Sequence, residues 1–359
     1  MADLVLQVNG VDYGGWKSAA VTRGIETVAG GFELEVTERW AGQDKPWPIF
    51  EEDECSLSIE GVPVITGHVD RRSLVYGAAA HSLTVSGRDK TGALVDCSAD
   101  LRQWEFRQVP LLTLAKRLAD PFGIGVSLQP GLSMPPPPAK FSIDPGDTAF
   151  DALEQACRMA GVLPICDGAG GLRLSRVGTT RCSTELIHGE NILAASADYD
   201  ASGRFARYVV SGQQAGSDLL GGEATRVKAE ARDENVRRRD RVLVVRPEKS
   251  ATQAHAKQRA AWEATVRAAR SRRVRVTVRG WTQGDGTLWP VNALVPVRSP
   301  YLGIDAELLI TQATYRLAES EGTTTELSLM AAEAFDPEPV VPKRTEPGYN
   351  FAPAPVGRA

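Results

Sequence analysis

Four histidines, His68, His81, His188 and His255, are the only imidazoles in the chain, so any acid/base or metal chemistry that needs one must use these. His188-Gly189-Glu190-Asn191 sets a base, an acid and an amide within one short run, with Asp200 a little further on. The run follows a strand-like Thr184 to Ile187 and contains a glycine, so it reads as a turn. His68 and His81 fall on opposite arms of one expected hairpin, where they could meet as a metal pair. An echo of that hairpin later in the chain carries Gln312 and Thr325 at the same places, which makes the two histidines polar surface. Glu33 and Glu35 alternate with Phe32, Leu34 and Val36 and project to the solvent side of a strand. Two exposed acids lack the burial that separates the pKa values of a glycosidase pair. Gly168-Ala169-Gly170-Gly171 lacks the last glycine of a dinucleotide fingerprint and leads into a strand, whereas a phosphate site needs a helix N-terminus there. It reads as a hairpin turn. No P-loop, HExxH or GxSxG segment occurs. No catalytic, cofactor-binding or metal-ligating residue is assigned, and no cofactor is expected.

The composition agrees with a role that is not chemical. Hydrophobic residues make up 42% and charged residues 24%, and a formal charge of -4 gives no general drive toward nucleic acid or an anionic membrane. Arg237-Arg238-Arg239-Asp240-Arg241 and Arg270 to Arg275 are local basic clusters, read as solvated or paired at an interface. Cys55, Cys97, Cys157, Cys166 and Cys182 are odd in number and show no CxxC spacing, so they read as small core residues in a reducing compartment. Met1-Ala2-Asp3-Leu4 starts neither a basic nor an apolar leader, and nowhere do about 18 apolar residues run together. Assembly in the cytoplasm without a membrane-spanning segment is expected. Trp16, Trp40, Trp47, Trp104, Trp262, Trp281 and Trp289 suit either core plugs or interface anchors.

The elements that would position these residues are mainly β with an α+β insertion. Residues 1–100 carry short alternating strands and turns at Asn9-Gly10, Gly14-Gly15, Gly30-Gly31 and Glu60-Gly61, and read as a first antiparallel β-barrel, completed by residues 200–248. Residues 101–199 read as an inserted small α/β domain. It has a helix from Leu111 stopped by Pro121, and a helix after Asp147 with Phe150, Leu153, Cys157 and Ala160 on one face and Gly161 beyond its end. Residues 215–240 read as a long polar loop, and 249–272 as a connector helix begun by Ser250-x-x-Gln253. Residues 273–335 read as a second β-barrel and 336–359 as a Pro-rich tail without periodicity. The two barrels echo each other without a gap at a spacing of 244: Val64 to Val69 and Ser82 to Val85 against Leu308 to Ala313 and Glu326 to Leu329.

Val8-Asn9-Gly10 with Trp16, the run Val85-Ser86-Gly87-Arg88-Asp89-Lys90-Thr91-Gly92 leading to Leu94-Val95-Asp96-Cys97-Ser98, His188 to Ile192, and Gly280-Trp281 with Leu288-Trp289 and Asn292 resemble the baseplate hub protein of Mu-like contractile-tailed phages. The resemblance spans residue 4 to about 335 and includes kinship with the base of type VI secretion VgrG spikes. It implies a structural role with no catalytic residues: a homotrimer whose six similar β modules form a pseudo-sixfold ring. Such a ring would join the tail-tube protein to the central membrane-piercing spike, contact other baseplate proteins, and surround the passage for DNA, with transient contact as DNA passes. The virion baseplate would be its location. The tail from Asp336 matches no family motif.

Two other readings of the residues stay open at this point. One is a tail-borne cell-wall hydrolase using His188, Glu190 or Asp200; the other is a carbohydrate- or receptor-binding module using Trp104 or Trp289.

Overall fold

The computed structural model describes residues 3–37, 47–77, 81–178, 180–213, 226–246 and 252–339 of the 359-residue chain. Seven strands come first: β1 (Leu4–Val8), β2 (Val11–Tyr13), β3 (Ser18–Gly24), β4 (Gly31–Thr37), β5 (Glu54–Ile59), β6 (Val62–Tyr76) and β7 (His81–Asp89). Asn9 at φ 51° with Gly10 at 80°, and Glu60 at 50° with Gly61 at 75°, are the paired left-handed residues that tight hairpins require. Alternation then divides the strands into faces, with Phe32, Leu34 and Val36 of β4 and Leu83 and Val85 of β7 all buried.

An α/β layer follows: α1 (Gly92–Asp96), β8 (Glu105–Phe106), α2 (Leu111–Ala119), β9 (Val126–Leu128), β10 (Phe141–Ser142), α3 (Ala149–Ala160), β11 (Leu163–Cys166) and β12 (Leu172–Ser175). The Thr148 hydroxyl accepts the Asp151 N–H at 3.0 Å and the Asp151 carboxylate accepts the Thr148 N–H at 3.1 Å, a reciprocal cap that starts α3. Gly161, at φ 66°, ends it. The buried stripe is Ala149, Ala152, Leu153, Ala156 and Cys157; Phe150 and Ala160 sit at its margin.

The next strands are β13 (Thr180–Arg181), β14 (Leu186–Ile187) and β15 (Ile192–Tyr199), then β16 (Arg207–Gln213), β17 (Arg226–Arg232) and β18 (Val242–Val245). The helix α4 (Gln253–Arg270) leads into β19 (Arg272–Arg279), β20 (Ala293–Ser299), β21 (Ile304–Ala318) and β22 (Gly322–Met330). Several expected boundaries change. The strands between 200 and 248 do not complete the first β unit: β17-β16-β18 is a separate three-stranded sheet covered by α4, with Val210, Val227 and Ala229 against Ala256 and Ala260. Residues 180–199 lie outside the α/β layer, because β13 and β14 pair with β20 and β15 pairs with β19. The expected loop 215–240 contains β17, whose Val227, Ala229 and Ala231 alternate with charged residues; residues 214–225 lie outside the described residues. The cap of α4 is Thr252, whose hydroxyl accepts the His255 N–H at 3.2 Å. Ser250, the expected cap, lies outside the described residues.

The main sheet has fourteen strands, and its order contains one motif twice. In the first unit the neighbours run β3-β4-β7-β6-β5; in the second they run β15-β19-β22-β21-β20. The units are joined where the distal half of β21 pairs antiparallel with β3, from Gln312 opposite Gly24 to Ala318 opposite Ser18. Neither unit is a closed barrel as expected. The path runs openly from β15 to β2, because the distal half of β21 takes β3 of the other unit as its neighbour instead of closing on its own.

The 244-residue echo survives in burial and fails in register. Ile65 and Leu309, Val69 and Ala313, Leu83 and Leu327, and Val85 and Leu329 are all buried. Val69, however, pairs with Gly87, whereas Ala313 pairs with Leu327 and not with Ala331 as constant spacing would require. The slide at that position is four residues, an even number, so the same side chains stay inward. The arms keep their lengths, 15 and 9 residues in each copy.

Candidate functional site

The residues that looked capable of chemistry are dispersed. His68 lies opposite Arg88 and His81 opposite Tyr76, so the two imidazoles sit eight residues apart along the hairpin, roughly 26 Å at about 3.3 Å per residue. They cannot share a metal, and among the described residues no group of three His, Cys, Asp or Glu side chains is placed to hold one. His188 to Asn191 forms the turn between β14 and β15. Asn191 closes it, accepting the Ile187 N–H at 2.8 Å and donating to the Glu185 carbonyl at 2.7 Å. Glu190 is exposed. Asp200 accepts the Ser202 N–H at 2.7 Å, and its hydrogen bonds to Ser202 hold its carboxyl below the usual range. The turn at Gly168 is the expected hairpin, with Asp167 accepting the Ala169 and Gly171 N–H groups at 2.8 and 2.9 Å. Trp16, Trp281 and Trp289 are buried core plugs, and Trp289, 2% exposed, offers no surface to a sugar. Trp104 packs half-buried against the α/β core, and Trp40 lies outside the described residues.

The run Val85 to Cys97 is an assembly joint between the first β unit and the α/β layer. Gly87 faces the His68 carbonyl and the Phe32 ring, leaving no room for a side chain. Arg88 donates to Asp70 at 2.6 Å and to Asp96 at 2.7 Å, tying β6 to the end of α1 across the joint. Asp89, 2% exposed, accepts both the N–H and the hydroxyl of Thr91 at 3.0 Å through Oδ1, while Oδ2 has no hydrogen-bond partner within the usual distance among the described residues. The Thr91 hydroxyl also donates to the Val28 carbonyl at 3.1 Å.

Burial raises the Asp89 carboxyl above its ordinary value, and the Thr91 hydrogen bonds pull it partly back. The folded protein therefore holds a proton that the unfolded chain releases. Its stabilising contribution is full below the unfolded pKa and is lost as pH rises through the folded one. Asp89→Asn keeps the accepting oxygen and removes the titration. Its melting temperature relative to the parent should climb with pH across the acidic range and then level off. A difference that stays constant with pH would contradict this role for Asp89.

The basic clusters are partly paired. Arg238 meets Asp240 at 2.7 Å, Arg239 meets Glu234 at 3.0 Å, and Arg270 donates to the Ala334 carbonyl at 2.9 Å. On α4, buried Glu263 joins Arg259 and Arg267 at 2.9 and 2.7 Å. The start of the expected Pro-rich tail is docked there: Trp262 donates to the Asp336 carbonyl, His255 bonds the Pro339 carbonyl, and Arg259 pairs with Glu338. Residues 340–359 lie outside the described residues.

Besides the short β2, β13 and β14, two strands of the main sheet present backbone edges with no ladder partner among the described residues. One is the outer edge of β15, the last strand of the sheet, with Leu193 and Tyr199 exposed. The other is the outer edge of β6 from Arg71 to Tyr76, where Leu74, Val75 and Tyr76 are exposed and Tyr76 stacks on His81. Sequence periodicity marks β6 but neither β15 nor the open sides, because an edge is defined by a neighbour that is missing. No described helix is long and apolar enough to cross a membrane.

Residues 3–89 match the family described as Mu phage baseplate assembly protein GpP-like, N-terminal; residues 91–176 match the second domain of baseplate hub protein gp44-like; and residues 252–338 match the fourth domain of Mu phage baseplate assembly protein GpP. The chain is 34% identical over 341 residues to baseplate hub protein gp44 of Escherichia phage Mu, covering 92% of this chain and 88% of that protein. Its fold is similar to the prophage MuSo2 43 kDa tail protein from Shewanella oneidensis, with TM-score 0.82, 31% identity, and coverage of 93% and 99% of the two chains. A tail protein from Neisseria meningitidis MC58 has the same fold, with TM-score 0.77, 24% identity, and coverage of 94% and 99%. A scaffold of joints and open sheet edges, with its polar residues dispersed, is what a structural part requires, and the chain belongs to the Mu-type baseplate hub family, structural tail proteins that are not enzymes.

Proposed function

We propose that three copies of this chain form the hub ring of a contractile-tail baseplate. The observation that carries the reading is the strand order β3-β4-β7-β6-β5 repeated as β15-β19-β22-β21-β20, with the two sets already joined side by side in one chain. A chain that supplies two like modules in a head-to-tail arrangement closes into six modules when three chains meet. Such a ring matches a sixfold tail tube on one side and a threefold spike on the other, and surrounds the passage for DNA. The α/β layer and the β16–β18 sheet with α4 stand as true threefold features between the ring and other baseplate proteins. Assembly takes place in the host cytoplasm, and the finished ring resides in the virion.

Light scattering on the purified protein tests the stoichiometry. Expected is a mass three times 38.6 kDa for the protein alone, or three copies of it per complex on adding tube and spike proteins. A monomer at micromolar concentration that stays monomeric with both partners would overturn the proposal.

A further inference from the structure

Asp336-Pro337-Glu338-Pro339 is extended for a local reason: two of its residues are prolines with φ fixed, and the other two precede prolines, which disfavours the helical region. Asp336 adopts φ -56° and ψ 134°. The partners of this stretch on α4 are His255, Arg259 and Trp262, spaced by four and three residues and so on one face of the helix. The Trp262 indole donates to the Asp336 carbonyl at 2.8 Å, Arg259 pairs with Glu338, and the His255 ring donates to the Pro339 carbonyl at 2.8 Å. The Arg259 guanidinium also lies over the Trp262 ring, 4.6 Å from its centroid. The lengths agree: the extended path from Asp336 to Pro339 covers about 10 Å, and the helix rises about 10 Å from His255 to Trp262. The segment lies antiparallel along α4.

The same segment has a second side, turned to the α/β layer. Phe335 packs against the cluster that holds Ile165 of β11 and also against the one that holds Ala269 of α4. Pro337 sits against Gly161 at the end of α3, so closely that a Cβ on that glycine would come within 2.8 Å of it. The contacts therefore alternate along the chain: Phe335 and Pro337 reach the α/β layer, while the Asp336 carbonyl and the Glu338 carboxylate reach α4. Elsewhere the two bodies keep separate cores. The buried cluster around Leu118 and Leu153 shares no residue with the one that joins Val210 and Val227 to Ala256 and Ala260.

The body made of α4 and the β16–β18 sheet joins the main sheet at two points, after β15 and before β19. These points are adjacent, because the Asp200 N–H donates to the Ser271 carbonyl at 2.9 Å. Two neighbouring crossings make a hinge, and Trp262 and His255 lie roughly 14 and 24 Å along the helix from it. We propose that residues 335–339 are a latch. Docked, the latch clips α4 and its sheet to the α/β layer and fixes the hinge angle, so that the two bodies present one surface. Lifted, it leaves them to turn separately about Asp200 and Ser271. Its hold consists of a few hydrogen bonds and one ion pair, each of modest net strength, which suits a contact that opens and closes. The latch belongs to a single chain and does not rest on the ring.

Distances between paired nitroxide labels on the full chain test it, with labelled protein diluted in unlabelled protein so that only pairs within one chain are read. Cys97 and Cys182 are replaced by serine, and labels are placed at Gln155→Cys on α3 and Lys257→Cys on α4, both exposed positions. A second pair, Glu33→Cys on β4 with Arg275→Cys on β19, reports on the main sheet alone. Pro337→Gly with Glu338→Gln and Pro339→Gly removes the preset extension and the ion pair without altering either helix. The parent should give one narrow distance between the helices, and the triple variant a broad distribution reaching longer distances, with the sheet pair unchanged. Trp262→Phe, which removes the indole donor to Asp336, should broaden the distribution in the same direction. A triple variant as narrow as the parent, or a parent already as broad as the variant, would overturn the latch. A sheet pair that shifts with the variant would overturn it too, because the segment would then support the whole fold and not one hinge.

Discussion

Gly87→Val should lower the melting temperature of the protein by about 3–6 °C. A Cβ at Gly87 would lie 2.2 Å from the His68 carbonyl oxygen and 2.8 Å from two atoms of the Phe32 ring, and one at Gly67 on the facing strand would lie 1.9 Å from the Arg88 carbonyl. Neither glycine has a positive φ, so the requirement is space and not backbone freedom. Val69 pairs with Gly87 in the ladder, and β4 passes on its other side, so a side chain there must part β6 from β7 or expel Phe32. The cost belongs with overpacked cores, about 3 kcal/mol, and a chain of this size loses roughly 1–2 °C per kcal/mol. Gly77→Ala, with nothing within 4 Å of its Cβ position, is the matched neutral substitution. A thermal melt in which the two variants behave alike would show that the joint tolerates a side chain.

Asp233→Ala should open the β16–β18 sheet and α4 before the rest of the molecule. Arg204 donates to the Asp233 carboxylate at 3.0 and 2.6 Å, and the two side chains are only 10% and 6% exposed. Removing the acid leaves a guanidinium buried without its counter-ion, a loss of about 3–5 kcal/mol. Because this sheet has its own small core, the loss should appear as an early local transition and faster hydrogen exchange in β16 and β17, with β7 and β22 unchanged. Replacing both partners together, as Arg204→Met with Asp233→Leu, removes the orphaned charge and should restore most of the protection. Uniform loss of protection across the chain would contradict a separate core.

The period-2 pattern made β4, β7 and β22 legible in the sequence, and the helical face of α3 was readable to within one position of its margin. Strand membership was harder. β13 is two residues long and exists only because β20 lies beside it more than a hundred positions away, so no local signal could reveal it, whereas β14 falls within the strand-like Thr184 to Ile187. β17 was hidden by charge: Val227, Ala229 and Ala231 do alternate, but the arginines, lysine and glutamate around them resemble a solvated loop. The repeat was visible through its inward residues, which burial constrains, and misjudged in register, which hydrogen bonding with neighbouring strands decides. For the same reason the dispersal of His68 and His81 emerged only from the ladder. Arg204 and Asp233, 29 residues apart with no shared motif, carried no signal for their pairing. The Arg259, Glu263 and Arg267 series at four-residue spacing did carry one, as a charge-laced helix face.

The central claim is that one chain contributes two equivalent modules to a closed ring, and the symmetry of the particle tests it most directly. Electron micrographs of the purified protein, or of its complex with the tube protein, should average to a ring with a central hole, six similar inner lobes and threefold outer features. Particles with six equal outer features, open chains of irregular length, or compact monomers would contradict the account.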